Sequence, residues 1–171
     1  MNAVLAGWNS LDRDTAAEAV LPCCGSRAWA AELAARRPIA DEAALIAESS
    51  DVWHALPTEA WLEAFDSHPR IGEQKPQGHA TDASLNASAT EQAVALSADE
   101  AAKLELKVAN RRYEARFGRI FIICASGRSA REILAALEAR MKNDDATELR
   151  EAAEQQRQIT VLRLKRWLEA D

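Results

Sequence analysis

Only 6 glycines and 5 prolines punctuate the 171 residues. With Ala, Leu, Glu and Arg abundant, that scarcity favours helix nearly everywhere, because these side chains lose little rotamer freedom on a helix. A chain of 171 residues is long enough to bury a core, which excludes a disulfide-stapled miniprotein, and Cys23, Cys24 and Cys124, the only cysteines, have no CxxC spacing. Free thiols in a reducing compartment are the expectation. No apolar run approaches the ~18 residues of a membrane span. The start MNAVLAGWNSLDRD lacks the basic and long apolar stretches of a signal peptide. The end Trp167-Leu168-Glu169-Ala170-Asp171 lacks an SKL-type address. A soluble, cytoplasmic protein is expected. There is no GxGxxG, GxxxxGK[ST] or GxSxG, hence no visible cradle for nucleotide or flavin. His54, His68 and His79 lack metal-ligand spacing, so no metal is expected. No dense basic stripe points to nucleic acid.

Hydrophobic residues make up 48% of the chain; 37 of them are alanine, which leaves 45 larger apolar side chains for an interior, beside 28% charged residues. This balance is globular. The length, without internal repeats or linkers, fits a single domain over 1–171. The net charge of -6 is uneven: residues 1–99 carry -9 and 100–171 carry +3. A basic pocket for an acidic small substrate would come from the second half.

The pattern predicts an all-α bundle of about eight helices with one short extended segment near 120–125. Ser10 or Asp12 caps a helix to about Leu21, interrupted by Pro22-Cys23-Cys24-Gly25, and another runs from Ser26 to Arg36. Asp41 and Thr58 cap the next two, the second ending before Pro69. From Lys75 to Ala87 no apolar periodicity is present, and a long loop is expected, positioned to cover a pocket. Ser88-Ala89-Thr90-Glu91 and Ser97-Ala98-Asp99-Glu100 both fit a capping box, the second opening a helix to about Phe117. Arg119 to Ala125 is the one β-branched and aromatic run, read as extended. Ser129 to Met141 is helical with Ile133, Leu134, Leu137 and Met141 on one face, and Thr147 caps a last helix to about Leu168.

Three features could carry chemistry. On the last helix Leu149, Ala152, Ala153, Gln156, Thr160, Leu164 and Trp167 share one arc, and Arg163 is the cation falling inside it. Such an arginine is either a buried ion pair or snorkelling side chain, or a fork that clamps a planar anion. His68, beside Pro69 at a helix end, is either a favourable contact with the helix dipole or an acid/base group held by rigid backbone. Ser88 and Glu91 are explained by capping alone; Gln92 is not.

Taken in order, His68-Pro69-Arg70-Ile71-Gly72-Glu73, Ser88-x-x-Glu91-Gln92, Arg116-Phe117-Gly118 with Phe121-Ile122-Ile123-Cys124-Ala125, and Ile159-Thr160 with Arg163-Leu164 resemble one family. It is the 2-oxo-4-hydroxy-4-carboxy-5-ureidoimidazoline (OHCU) decarboxylases of urate breakdown. Ala28-Trp29-Ala30 and the Asn143-Asp144…Glu148-Leu149 turn add to the resemblance, which covers nearly the whole chain. It implies an all-helical enzyme without cofactor, usually a homodimer, that decarboxylates OHCU to (S)-allantoin. By motif match His68, Glu91 and Arg163 take the catalytic and substrate-holding places. Pro69, Ser88, Ala89, Thr90, Gln92 and Phe121, Ile122, Ile123, Cys124 and Ala125 would line the pocket. Two other functions are compatible with the residues: a non-catalytic helical interaction module, and a decarboxylase of another ureido or hydantoin acid.

Overall fold

A computed structural model describes residues 2–71, 78, 80–96 (94–96 by backbone alone) and 99–170. Among these the architecture is all-α, with nine helices: α1 (Ala3–Ser10), α2 (Arg13–Cys24), α3 (Arg27–Ala35), α4 (Glu42–Ala55), α5 (Thr58–Asp66), α6 (Asp82–Leu96), α7 (Glu100–Phe117), α8 (Ala130–Arg140) and α9 (Asp145–Leu168). They form two compact units, Met1–Ala64 with Arg157–Asp171, and Phe65–Gln156.

In the first unit, short polar side chains start three helices as the sequence suggests, whereas Thr58, expected as a cap, is already the first residue of α5. Asp12, Ser26 and Asp41 each accept a bond from the backbone N–H three residues on, at Thr15, Trp29 and Ala44. α1, capped by Asn2, was not foreseen as a separate helix. α2 also runs on through Pro22 to Cys24. A proline so near the end removes a single ladder bond, and Gly25, at φ 86°, then stops the helix in the left-handed region with its N–H on Leu21 O. The buried indoles of Trp8 and Trp29 donate to Ala16 O (2.8 Å) and Ser49 O (3.2 Å), so large apolar rings enter the interior without an orphaned N–H. Trp61 does the same with Trp53 O at 2.9 Å.

The second unit is built on α7 and α8. Leu106, Ala109, Tyr113 and Phe117, a helical stripe of α7, cluster with Ile133 and Leu137 of α8 and with Phe121, Ile123 and Ala125; Leu134 and Met141 pack at its edge. Asp99 caps α7 by accepting from Ala101 N and Ala102 N. Ser97 and Ala98, the start of the expected box, lie outside the described residues. The cap of α9 is Asp144, which accepts from Thr147 N at 2.7 Å, one turn before the expected Thr147 cap.

A further expectation is corrected in this unit. The region read as loop to Ala87 is helical from Asp82, with Thr81 Oγ1 accepting from Ser84 N, so Ser88 and Glu91 sit inside α6 and cap nothing. Residues 72–77 and 79 of the expected covering loop lie outside the described residues. The run 120–125, expected as a short extended segment, lies outside every helix and joins no ladder among the described residues. Its β-branched residues are buried, while two of its backbone groups, Ile122 O and Cys124 N, bond to side chains.

Candidate functional site

The His68 turn follows directly from the end of α5. His68 N donates to Phe65 O at 3.1 Å, and Pro69 ends any helical continuation. Beyond it Arg70 grips Glu114 of α7 with two bonds, Nε to Oε1 at 2.5 Å and Nη2 to Oε2 at 3.0 Å. Gly78 N donates to Asp66 O at 2.8 Å on the other side, and a Cβ on Gly78 would stand 2.9 Å from Asp66 Cβ. The close approach requires glycine. Within this frame the imidazole is 7% exposed, with Nε2 2.7 Å from Gln156 Oε1 of α9.

α6 contributes a face that explains why it was missed. Among its described side chains the buried positions are Ser84, Ser88, Glu91 and Gln92, spaced i, i+4, i+7, i+8. The helical period is present, but in polar residues, which a search for apolar periodicity passes over. A helix that buries hydroxyl, carboxylate and amide groups is costly unless they have work to do or partners to meet. Ala89 and Thr90 lie on the exposed face, and the Thr90 hydroxyl donates back to Asn86 O.

The 120–125 run is held from two sides. Arg140 Nη1 donates to Ile122 O at 2.7 Å, and Cys124 N donates to Gln155 Oε1 at 3.0 Å. Phe121, Ile122, Ile123 and Ala125 are buried and Cys124 half-buried. Arg140 is itself fixed by Glu148, whose Oε1 accepts from Arg140 Nε (2.9 Å), Arg140 Nη2 (2.5 Å) and Tyr113 Oη (2.6 Å). Asn143 Nδ2 donates to Glu148 Oε2 at 3.0 Å. Burial, reinforced by the neighbouring Glu148 carboxylate, holds the Tyr113 phenol well above its ordinary range.

In the first unit Arg163 is 4% exposed, whereas Arg150, Lys165 and Arg166 are exposed and Arg157 is intermediate. The apolar arc of α9 therefore selects the buried cation correctly. Its Nη1 donates to Pro22 O at 3.2 Å, one of the C-terminal carbonyls of α2 that no helical N–H can satisfy. Cys23 and Cys24 lie in the same unit, their thiols pushed up to about 12 by burial, against which the attraction of Arg163 for a thiolate is the smaller effect. No group of three His, Cys, Asp or Glu able to hold a metal occurs among the described residues.

Gln155, Gln156, Arg140 and Glu148 were not singled out by sequence as functional. Gln156 did have a signal: like Arg163, it is a polar residue inside an otherwise apolar arc. The others bond across the chain, and nothing in their local pattern marks them.

Residues 9–165 match the family described as OHCU decarboxylase. The uric acid degradation bifunctional protein TTL of Arabidopsis thaliana is 38% identical over 144 residues, 83% of this chain and 44% of that protein. The chain thus spans under half the length of this curated relative. A solved structure of OHCU decarboxylase in the presence of (S)-allantoin superposes with a TM-score of 0.75 at 34% identity, over 88% of this chain and 96% of that one. An (S)-allantoin synthase structure, 18% identical with a TM-score of 0.71 over 95% of this chain and 53% of that one, shares the fold. With the match running through the His68 turn, α6, the 120–125 run and Arg163, the chain belongs to the OHCU decarboxylase family.

Proposed function

We propose that this chain is a carboxy-lyase that converts OHCU to (S)-allantoin without a cofactor, in the breakdown of urate. The observation that carries the reading is His68, a buried imidazole on a pinned turn with Nε2 2.7 Å from an amide oxygen. It is a titratable group held rigidly away from bulk water, as acid/base work requires. Family membership supplies the substrate.

In this reading the bond from the ring carbon to the carboxylate breaks, CO2 departs, and the electron pair enters the substrate's own carbonyl and imine system. One proton is then added to one face. His68 engages the departing carboxylate or the adjacent hydroxyl, favours the rotamer with the scissile bond out of the ring plane, and supplies or relays the proton. Glu91 orients the ring and sustains its cationic form. Arg163 holds the planar ureido or carbonyl edge, a task its fork fits better than a lysine would. Gln92, Ser88 and the main chain of 121–125 read the remaining donors and acceptors, with Pro69 completing the wall. We propose further a homodimer, one domain over 1–171, and a reducing, cytoplasmic setting in which Cys23, Cys24 and Cys124 stay free.

The test is a coupled assay: OHCU is generated fresh from urate, wild type or His68→Ala is added, and absorbance decay and product chirality are followed. Faster decay to one enantiomer, abolished by the substitution, is expected. Decay no faster than in buffer, with racemic allantoin, overturns the proposal and favours a binding module.

A further inference from the structure

Gln155 and Gln156 are neighbours on α9, and both are buried. Consecutive side chains on a helix diverge by about 100°, so the two amides serve different parts of the unit. Gln156 Oε1 meets His68 Nε2 at 2.7 Å. Gln155 Oε1 accepts from Cys124 N at 3.0 Å, and its Nε2 donates to Glu151 Oε1 at 3.2 Å. The carboxylate of Glu151 can only accept from that amide, so it settles which end of Gln155 faces the 120–125 run.

We infer that Gln155 and Gln156 are the positioning pair of this site: one amide holds the His68 ring through Nε2, the other holds the Cys124 peptide, and the single-residue step along α9 sets the angle between them. The inference rests on the proposed function for the meaning of the site, and extends it to two residues that touch no reacting atom. An amide oxygen can only accept, so the ring nitrogen facing it carries hydrogen. The neutral imidazole is thereby fixed as the Nε2–H tautomer, with its lone pair on Nδ1. A proton transferred in the reaction therefore passes through Nδ1, while Nε2 stays an anchor. This is the arrangement in which a helical amide orients a catalytic ring without competing for its proton.

Gln155 acts on the opposite part of the wall. A main-chain run outside helix and ladder has peptide groups free to rotate, and each anchor removes that freedom at one peptide. Arg140 fixes Ile122 O and Gln155 fixes Cys124 N, so the two peptides that flank Ile123 are each held at one group. The two glutamines should therefore separate kinetically: Gln156 governs the chemical step and Gln155 governs the fit of substrate.

The experiment combines imidazole 15N NMR of the full chain with steady-state kinetics on freshly generated OHCU, His68→Asn serving to assign the His68 signals. Expected is hydrogen on Nε2 whenever the His68 ring is neutral. Gln156→Leu mixes the tautomers and lowers kcat by about 10-fold with KM within about 2-fold. Gln156→Glu, which keeps an acceptor oxygen and nearly the same shape, keeps hydrogen on Nε2 and most of kcat, and stands in if the leucine variant does not fold. Gln155→Leu leaves the tautomer unchanged and raises KM by about 10-fold. Hydrogen on Nδ1 in the wild type, or indistinguishable kinetics for leucine and glutamate at position 156, overturns the inference. The NMR result needs no turnover: a wild type inert toward OHCU refutes the proposed function, while the tautomer still decides whether Gln156 orients His68.

Discussion

Replacing Glu148 by alanine removes the acceptor shared by Tyr113 Oη, Arg140 Nε and Nη2, and Asn143 Nδ2. The side chain of Glu148 is 0% exposed and that of Arg140 only 9%, so the guanidinium cannot turn to water for compensation. Breaking a buried ion pair from one side strands a charge in a poorly solvating interior, which costs about 3–5 kcal/mol. The Tyr113 hydroxyl loses its partner at the same time, but shares it with Arg140, so the two losses are coupled and not additive. Against a total stability of about 5–15 kcal/mol for a domain, the variant should lose from about a fifth to all of its margin and melt about 6–20 °C lower. Urea unfolding followed by tryptophan fluorescence and far-UV circular dichroism measures this. The companion variant R140M/E148L removes both charges and keeps apolar volume, and should be less destabilised than Glu148→Ala, since desolvation of each ion is no longer required. A Glu148→Ala loss under about 1 kcal/mol, or a double variant worse than the single, would refute the reasoning that a stranded charge dominates.

Four further predictions follow from named residues. With Cys23 and Cys24 raised from 9.0 to about 12, the folded state keeps protons that the unfolded chain loses. Their contribution to stability is complete below pH 9 and disappears between pH 9 and 12, so urea midpoints should fall on that alkaline limb, less steeply in C24A; a flat limb contradicts the assignment. At pH 8 the same shift makes maleimide label half-buried Cys124 well before either buried thiol, as read by mass spectrometry. Gly78→Ala should cost about 1–3 kcal/mol because its Cβ meets Asp66 Cβ at 2.9 Å, whereas Gly7→Ala, with nothing within 4 Å inside α1, should be neutral or gain up to about 1 kcal/mol; equal melting temperatures would disprove the close approach. Arg163→Lys should keep the fold but lower kcat/KM by about 100-fold, because a point charge cannot reproduce a planar fork, and wild-type kinetics in that variant would remove Arg163 from the proposed site.

Much of the fold was legible because its signals are local. Asp12, Ser26 and Asp41 cap helices through bonds three residues long, and Gly118, at φ 71°, ends α7 beside Phe117 as read. The apolar arc of α9 selected Arg163 because burial follows the helical period whatever residue occupies it. α6 escaped for the reverse reason: its buried stripe of Ser84, Ser88, Glu91 and Gln92 has the period without the hydropathy, and its start at Thr81 was hidden among loop-forming residues. Pro22 was read as a break because proline removes a donor, yet at the end of α2 that donor is hardly missed.

The sequence by itself determined the helical class, most helix ends, the buried arginine and, through an ordered set of motifs, the family. These depend on neighbours within a turn or two and on residue identity. Tertiary structure decided what holds the site together: Gln156 on His68 across 88 residues, Gln155 on the Cys124 peptide across 31, and Glu148 on Tyr113 across 35. Such bonds form only after packing brings distant segments within about 3 Å, and no local periodicity encodes which buried polar group will meet which.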